Sequence, residues 1–253
     1  MNSEPEGQIY DCIGAGYKSQ RRSDPRIFEQ IERALSGCVT VINVGAGTGS
    51  YEPQGCTLAV EPSQKMIDQR PPGIAKCIKG VAEKLPVRNK AFDGALASLT
   101  MHHWTDVAAG LAEMRRVARK RIVLFTWDPE AEIDFWLTRD YFPAILDLDR
   151  PRFPALWQLH GMLGGMEVHP VMIPADCADG FLGAFWKRPE AYLDEEVRRG
   201  ISAMAQIERS ELESGLERLR VDLRTGEWMR RNAKLRPLAE LDLGYRIVIC
   251  VRT

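Results

Sequence analysis

The stretch that most constrains the fold is VTVINVGAGTGSYEPQGCTLAVEPS, residues 39–63, in which a glycine-rich loop joins two apolar runs. The first run is rich in β-branched residues and ends at Val44, and the second ends at Glu61. Strands that are apolar throughout are typical of a parallel sheet that is covered on both faces. Because glycine has no side chain, the backbone N–H groups of such a loop can approach a ligand closely. The stretch therefore predicts a ligand site where the first strand ends.

The spacing of the glycines excludes two common classes of ligand site. A dinucleotide-binding fingerprint has the form Gly-x-Gly-x-x-Gly. Here Gly45, Gly47 and Gly49 alternate, so the third glycine comes one residue early. No Gly-Lys-Ser/Thr sequence follows, so the loop lacks the lysine with which a Walker loop holds a phosphate group.

Further apolar runs alternate with helical patterns along the first half of the chain. Amphipathic helices are predicted at 26–35, where Asp24 and Pro25 favour a helix start, and at 106–118. Strands are predicted at 39–44, 57–61, 75–80, 92–99, 121–127, 166–174 and 244–251. This alternation predicts an α/β fold in which the loops after the strands meet at one edge of the sheet.

Beyond residue 128 the alternation ends and helical, charged segments dominate. The chain is predicted to be a single domain, because no flexible linker is visible. Its predicted parts are an N-terminal lid (1–36), a ligand-binding core (37–128), helices and a strand (129–174), a helical cap (175–240) and a closing strand (241–253).

Composition narrows the partner to a small molecule. The net charge is −1, from 34 basic and 35 acidic residues. The chain as a whole therefore has no electrostatic attraction to nucleic acid or to an anionic membrane. The 6 cysteines are scattered without a Cys-x-x-Cys pair, so neither a disulfide framework nor a zinc site is expected. The acidic start MNSEPEGQIYD is wrong for a secretory signal. We expect a cytoplasmic protein, monomeric or homodimeric, without a metal.

Four ordered sequence blocks resemble the class I S-adenosylmethionine (SAM)-dependent methyltransferases. The blocks are NVGAGTG (43–49) with the later Glu61, EPSQKM (61–66), GVAEKLPV (80–87) and FDGALASLTMHHWTD (92–106), followed by EMRRVARK (113–120). The resemblance covers about residues 8 to 128 and the closing strand, and it is closest to the branch of ubiquinone and menaquinone biosynthesis methyltransferases. A weaker resemblance is to N-methyltransferases of natural-product and toxin pathways. The resemblance implies a Rossmann-like, seven-stranded, mostly parallel sheet whose last strand is antiparallel.

The resemblance also implies SAM as the cofactor, with S-adenosylhomocysteine as its product. In such enzymes the acidic residue at Glu61 binds the ribose hydroxyls, and the blocks around it line the adenine and methionine parts. The cofactor-binding residues implied here are Tyr17, Arg22, Asn43, Gly45, Ala46, Gly47, Glu61, Pro62, Met66, Ala82, Glu83, Leu99, Thr100 and His103.

Two departures from the family pattern stand out. Asn43 occupies a position that is usually acidic, so a neutral acceptor is expected to recognise the methionine ammonium. Glu61 lies only sixteen positions after Gly45, so the helix after the loop must be short or replaced by a turn. We therefore expect the N-terminal segment, including Tyr17 and Arg22, to help close the site.

Histidines and aromatic residues are the candidates for acting on the methyl acceptor. Neutral imidazole could take a proton from an O–H or N–H nucleophile, which makes His102 or His103 the predicted catalytic base. The predicted acceptor-binding residues are His102, Trp104, Trp127, Tyr141, Phe185 and Trp186. An aromatic pocket of this kind suits a planar acceptor.

The sequence therefore predicts methyl transfer to a small aromatic or heteroaromatic molecule in biosynthesis, first of all N-methylation. Two alternatives stay open at this point. One is O- or C-methylation of a quinone, a phenol or a small carboxylate. The other is a SAM-binding sensor or assembly protein without transferase activity.

Overall fold

A seven-stranded sheet lies at the centre of the structure, a computed structural model that describes residues 21–252. The strands are β1 (Val41–Val44), β2 (Cys56–Glu61), β3 (Cys77–Lys79), β4 (Phe92–Ser98), β5 (Ala118–Trp127), β6 (Glu167–Pro174) and β7 (Glu240–Val251). Their order across the sheet is β3-β2-β1-β4-β5-β7-β6. Only β7 runs antiparallel to the other strands described. The predicted mostly parallel sheet with an antiparallel last strand is confirmed.

Helices cover both faces of this sheet. They are α1 (Pro25–Ala34), α2 (Gln64–Asp68), α3 (Val107–Val117), α4 (Ala144–Asp149), α5 (Leu156–Leu163), α6 (Glu195–Arg199), α7 (Ser202–Gln206), α8 (Arg209–Thr225) and α9 (Glu227–Arg231). Short 3₁₀ turns lie at Ala82–Lys84, Met101–His103, Leu182–Phe185, Pro189–Leu193 and Ala233–Leu235, and a π-helical turn lies at Leu137–Tyr141. No helix among residues 21–252 is long and apolar enough to cross a membrane.

The start of α1 shows how local sequence sets an element. The Asp24 side chain accepts a hydrogen bond from the Arg26 N–H at 3.0 Å, and Pro25 occupies the first helical position. An acceptor at the cap satisfies an N–H that has no partner inside the helix. The buried face of α1, with Ile27 and Ile31, then packs into the apolar layer on one side of the sheet.

The second apolar layer, on the opposite side of the sheet, centres on α3 and α5. Leu111 and Met114 of α3 are fully buried with Leu159 of α5. Because both faces of the sheet are covered, the ends of its strands are the expected place for a ligand site.

Candidate active site

The glycine loop leaves β1 and is shaped by close contact with the end of β4. Gly45 has φ +68°, and a Cβ atom there would lie 2.1 Å from Oγ1 of Thr100. Gly47 has φ +51° but open space where a side chain would begin. Gly45 is therefore needed because a side chain there would clash with Thr100. The lack of a side chain at Gly47 leaves space open beside the loop.

Glu61 ends β2 and reaches back to the glycine loop. Its Oε2 accepts a hydrogen bond from the Gly47 N–H at 2.8 Å, and its Oε1 accepts one from the Ser63 N–H at 3.0 Å. The residue is buried. A carboxylate has about four acceptor positions, so these two bonds orient Glu61 and are compatible with further bonds to ligand hydroxyls.

Asn43 lies on β1 with an unsatisfied acceptor. Its Nδ2 donates to Oε2 of Glu52 at 3.3 Å, but its Oδ1 has no hydrogen-bond partner among residues 21–252. The residue is buried and lines the cavity beside the glycine loop. A buried acceptor without a donor is costly, so its presence at the wall of a cavity points to a ligand donor.

Turns stand where a helix usually follows such a loop, and a buried ion pair stabilises them. Residues 48–55 form turns, as the short spacing predicted. Within them Glu52 pairs with Arg70 at 2.5 Å and also accepts a hydrogen bond from the Ala75 N–H at 2.9 Å. Arg70 in turn donates to the Gly47 carbonyl oxygen at 3.3 Å. This pair holds the glycine loop in place, and sequence reasoning missed it because ion-pair partners eighteen residues apart leave no local pattern.

A cavity of about 1070 Å³, counting its open mouth, lies beside the glycine loop; we call it the glycine-loop cavity. Every predicted cofactor residue between Asn43 and His103 lines it. These are Asn43, Gly45, Ala46, Gly47, Glu61, Pro62, Met66, Ala82, Glu83, Leu99, Thr100 and His103. Glu83 also has a structural role, since its Oε1 accepts hydrogen bonds from the Thr105 and Asp106 N–H groups before α3.

The N-terminal segment reaches the cavity through a different residue from the one expected. Arg22 is exposed and lines neither cavity, so the structure corrects its placement. Its neighbour Arg21 lines the glycine-loop cavity and pairs with Asp179 at 2.8 Å. The two arginines are adjacent and of one type, so the sequence alone could not tell which of them lines the cavity. Tyr17 lies outside the described residues.

A second cavity of about 960 Å³, counting its mouth, adjoins the first; we call it the aromatic cavity. Arg21, Leu99 and His103 line both cavities, so the two share a wall. Leu99 has φ +47°, a left-handed conformation that a leucine adopts only where its surroundings enforce it. A strained residue therefore stands at the boundary between the cavities.

His102 and Trp127, both predicted to contact the acceptor, line the aromatic cavity. The His102 ring stacks on Phe153 at 4.2 Å and lies 3.8 Å from the His103 ring. Trp127 meets Phe153 edge-on at 5.5 Å. The Nδ1 atom of His102 has no hydrogen-bond partner within the described chain. These rings form a wall against which a planar molecule can stack.

Burial keeps both histidines neutral. It lowers the pKa of His103 to about 3, and the positive charges of Arg152 and Arg21 lower it further. The pKa of His102 is also well below its ordinary value, from burial and then from His103. An imidazole with so low a pKa holds a proton weakly, so this geometry favours ring contact over general-base catalysis.

Four aromatic residues are placed otherwise than expected. Trp104 lines the glycine-loop cavity instead, and its ring packs over Gly110 of α3. Tyr141, Phe185 and Trp186 line neither cavity and are buried in the core. Their polar groups are used there: Tyr141 donates to Asp222 at 2.7 Å and the Trp186 indole to the Ile173 carbonyl at 2.9 Å. Large aromatic rings contribute most to stability when packed inside, which is why these three do not face the cavity.

Comparison with known proteins shows which protein family the chain resembles. Residues 42–125 match the family model described as "Methyltransferase domain". A solved structure from Anabaena variabilis, described as a "putative methyltransferase from antibiotic biosynthesis pathway", is 36% identical over 91% of this chain and 98% of its own, with a TM-score of 0.85. The chain belongs to the class I SAM-dependent methyltransferases.

Two further proteins are similar to this methyltransferase at lower sequence identity. A demethylmenaquinone methyltransferase from Roseiflexus sp. is 28% identical over 63% of this chain, which spans 59% of that relative. A structure from Thermotoga maritima, described as a possible histamine N-methyltransferase, has a TM-score of 0.55 at 14% identity, over 97% of this chain and 96% of its own. The second likeness shows a shared fold.

The residues of this methyltransferase fit SAM. The glycine-loop cavity offers the Asn43 acceptor to an ammonium group, the Glu61 carboxylate to ribose hydroxyls, and apolar contact from Met66 and Ala82 to a flat ring. Open space at Gly47 lets a ligand lie against the backbone. Among residues 21–252 no group of three or more His, Cys, Asp or Glu side chains could hold a metal ion.

Proposed function

We propose that this methyltransferase methylates a nitrogen atom of a small aromatic or heteroaromatic molecule in biosynthesis. One observation carries the proposal: the aromatic cavity opens beside the glycine-loop cavity, with Leu99 and His103 in the shared wall. A planar acceptor in the aromatic cavity would face a methyl group presented from the glycine-loop cavity. SAM, when bound, supplies an activated methyl group on a positively charged sulfur.

The lowered pKa values of the two histidines disfavour an acceptor that relies on either histidine to remove its proton. A phenol hydroxyl must lose its proton to become a strong nucleophile, which calls for a base. His102 and His103 are poor bases because their pKa values are lowered. A heteroaromatic nitrogen already carries an available lone pair, so alignment and exclusion of water supply most of what it needs.

The concave shape and aromatic lining of this cavity and the balanced net charge of −1 support a small acceptor rather than nucleic acid. The setting that we propose is the cytoplasm, with the chain acting as a monomer or a homodimer.

The experiment is a transfer assay with SAM that carries a deuterated methyl group. The panel would contain heteroaromatic amines, phenols, quinones and small carboxylates, and mass spectrometry with NMR would locate the transferred group. We expect products on ring nitrogen. Glu61→Ala is the matched variant, with affinity for SAM lower by about 1–3 kcal/mol from lost charged hydrogen bonds, and Glu29→Gln on the exposed side of α1 is the control.

Two outcomes would contradict the proposal. Methylation only on oxygen or carbon would move the acceptor to the quinone and phenol class. SAM binding without product across the whole panel would favour a non-catalytic SAM-binding protein.

A further inference from the structure

Asp149 places a carboxylate in the aromatic cavity. It is the last residue of α4 and lines the cavity together with Trp127 and Phe153. No group among residues 21–252 donates a hydrogen bond to its side chain. The positive charge that acts on it is that of Arg152, whose Nη1 donates to Oε1 of Gln206 at 2.8 Å instead. Asp149 is partly buried at the cavity wall, so its carboxylate is available to a hydrogen-bond donor on a ligand.

Asp149 is tied to the histidine wall by a short chain of contacts. Its main-chain oxygen accepts a hydrogen bond from the Phe153 N–H at 3.1 Å. The Phe153 ring stacks on His102 at 4.2 Å, and His102 lies 3.8 Å from His103. His103 belongs to the wall shared with the glycine-loop cavity. Asp149, Phe153 and the two histidines therefore line one cavity, and that cavity adjoins the glycine-loop cavity.

Asp149 is also the better base of this cavity. Burial raises its pKa to about 6, although the charge of Arg152 acts in the opposite direction. The pKa of His103, by contrast, is lowered to about 3. The other charged or titratable groups that line the cavity are Arg21, His102, Arg150 and Tyr245. A pKa near working pH suits a group that both accepts and releases a proton.

Tyr245 supplies a neighbouring donor. Its hydroxyl oxygen accepts a hydrogen bond from the Gly183 N–H at 3.2 Å, which leaves the hydroxyl hydrogen to point elsewhere. Burial raises the pKa of Tyr245, and the negative charge of Asp149 contributes, so the hydroxyl stays protonated. The Asp149 carboxylate can accept a hydrogen bond and the Tyr245 hydroxyl can donate one, and both line this cavity. Together they complement a ligand in which an N–H stands beside a C=O, as in a cyclic amide.

We propose that Asp149 recognises a ring N–H of the methyl acceptor and receives that proton when a conjugated ring nitrogen is methylated. This inference rests on the proposed function and narrows its acceptor to heteroaromatic rings that carry an N–H, such as cyclic amides and imides. The N–H need not be the methylated atom, because loss of its proton raises the electron density on other nitrogens of the conjugated ring.

The step balances as follows. The lone pair of a ring nitrogen forms a bond to the methyl carbon while the carbon–sulfur bond breaks and its electron pair stays on sulfur. The ring N–H proton passes to the carboxylate of Asp149. The products are a neutral N-methyl ring, a neutral thioether and a protonated Asp149, which returns its proton to solvent when the product leaves.

The test compares two rings that differ in N–H groups: lumazine, a pteridine-dione with ring N–H groups, and 1,3-dimethyllumazine, which has none. Each would be titrated by calorimetry into protein saturated with S-adenosylhomocysteine, at several pH values from 5 to 7. We expect the wild-type protein to prefer lumazine by about tenfold at pH 7, a difference of about 1.4 kcal/mol. The preference should weaken as the pH falls through about 6 and Asp149 becomes protonated.

Three variants make the result specific. Asp149→Asn should lose most of the preference and all of its pH dependence. Asp147→Asn changes an exposed residue of the same helix and should behave as wild type. Asp149→Glu keeps a carboxylate and should keep the pH dependence, so the decision does not depend on the folding of the asparagine variant alone.

Equal binding of the two rings to wild-type protein, or an unchanged preference in Asp149→Asn, would overturn the role of Asp149 and leave the aromatic acceptor class standing. If neither ring binds although S-adenosylhomocysteine does, the proposed acceptor class is wrong and this inference falls with it.

Discussion

At the scale of single residues, the aromatic cavity moves three titratable groups toward their neutral forms. Burial lowers the pKa of His102 and of His103 and raises that of Asp149. All three shifts have the same cause, because a weakly solvated cavity disfavours charge of either sign. Such surroundings suit methyl transfer from a sulfonium, since positive charge is lost from sulfur as the reaction proceeds.

The raised pKa of Asp149 makes a prediction about stability. Its pKa is about 6 in the folded protein, above the value of about 3.9 for an unfolded chain. The folded state therefore favours the protonated form, and this contribution is present below pH 4 and lost as the pH rises through 6. Asp149→Asn removes the charge, so its free energy of unfolding at pH 8 should exceed that of wild type by about 1–2 kcal/mol after allowance for solvent screening.

The measurement is urea denaturation at pH 4 and pH 8. At pH 4 the asparagine variant should show no gain, and Asp147→Asn should show no pH-dependent change from wild type. A stability of Asp149→Asn at pH 8 equal to that of wild type would show that the folded protein does not resist ionisation of this carboxylate.

The predicted cofactor residues and Asp149 differ in how far sequence could reveal them. Gly45, Gly47 and Glu61 stand at strand ends, and the order of strands in a parallel sheet brings them together without further information. Asp149 stands in AILDLD, where Asp147 is an equally good candidate by sequence. Only the packing of α4 places one carboxylate in the cavity and the other in solvent.

At the scale of elements, the turn at residues 48–55 is the unusual part of this methyltransferase. No helix follows the glycine loop here to hold it by hydrogen bonds. The loop is held by Arg70, which pairs with Glu52 and donates to the Gly47 carbonyl oxygen. Both side chains are at most 5% exposed, so each charge depends on the other. Removal of one partner leaves a buried charge without compensation.

Glu52→Gln should therefore lower the free energy of unfolding by about 3 kcal/mol. Replacing both partners, as Glu52→Gln with Arg70→Met, should cost less than the sum of the two single changes, because no charge is left unpaired. Urea denaturation of the wild type, both single variants and the double variant completes the cycle. Strictly additive losses would show that the two side chains do not stabilise each other.

At the scale of the whole molecule, the segment before α1 and the segment after β6 are joined across the fold. Arg21 pairs with Asp179, whose side chain is fully buried, and Arg21 lines both cavities. Arg26 pairs with Asp176 at 2.8 Å, but the Arg26 side chain is about half exposed and that of Asp176 is largely exposed. Among the described residues, the two segments are thus joined by the buried Arg21–Asp179 pair and by a hydrogen bond from the Ala178 N–H to the buried Asp24 side chain at 3.0 Å.

The two pairs provide a matched comparison. Asp179→Asn should lower the free energy of unfolding by about 3 kcal/mol because it removes the negative charge of a buried ion pair. Asp176→Asn should change it by less than about 1 kcal/mol, as is usual for exposed pairs. Thermal and urea denaturation measure both, and hydrogen exchange should show faster opening around residues 21–27 only in Asp179→Asn. Similar losses in the two variants would contradict this distinction.

The sequence by itself determined the sheet and most of the lining of the glycine-loop cavity, and its resemblance to a known family indicated the cofactor class. Strand periodicity and the Gly-x-Gly-x-Gly loop are local signals, and a parallel sheet brings loops from successive strands to one edge whatever the side chains beyond it do. Only the tertiary structure decided which aromatic rings line the aromatic cavity, that Arg21 rather than Arg22 lines both cavities, and that Asp149 lies in the aromatic cavity. Those outcomes depend on how helices outside the sheet pack and rotate. That packing is set by the whole apolar interior, and no short stretch of sequence records it.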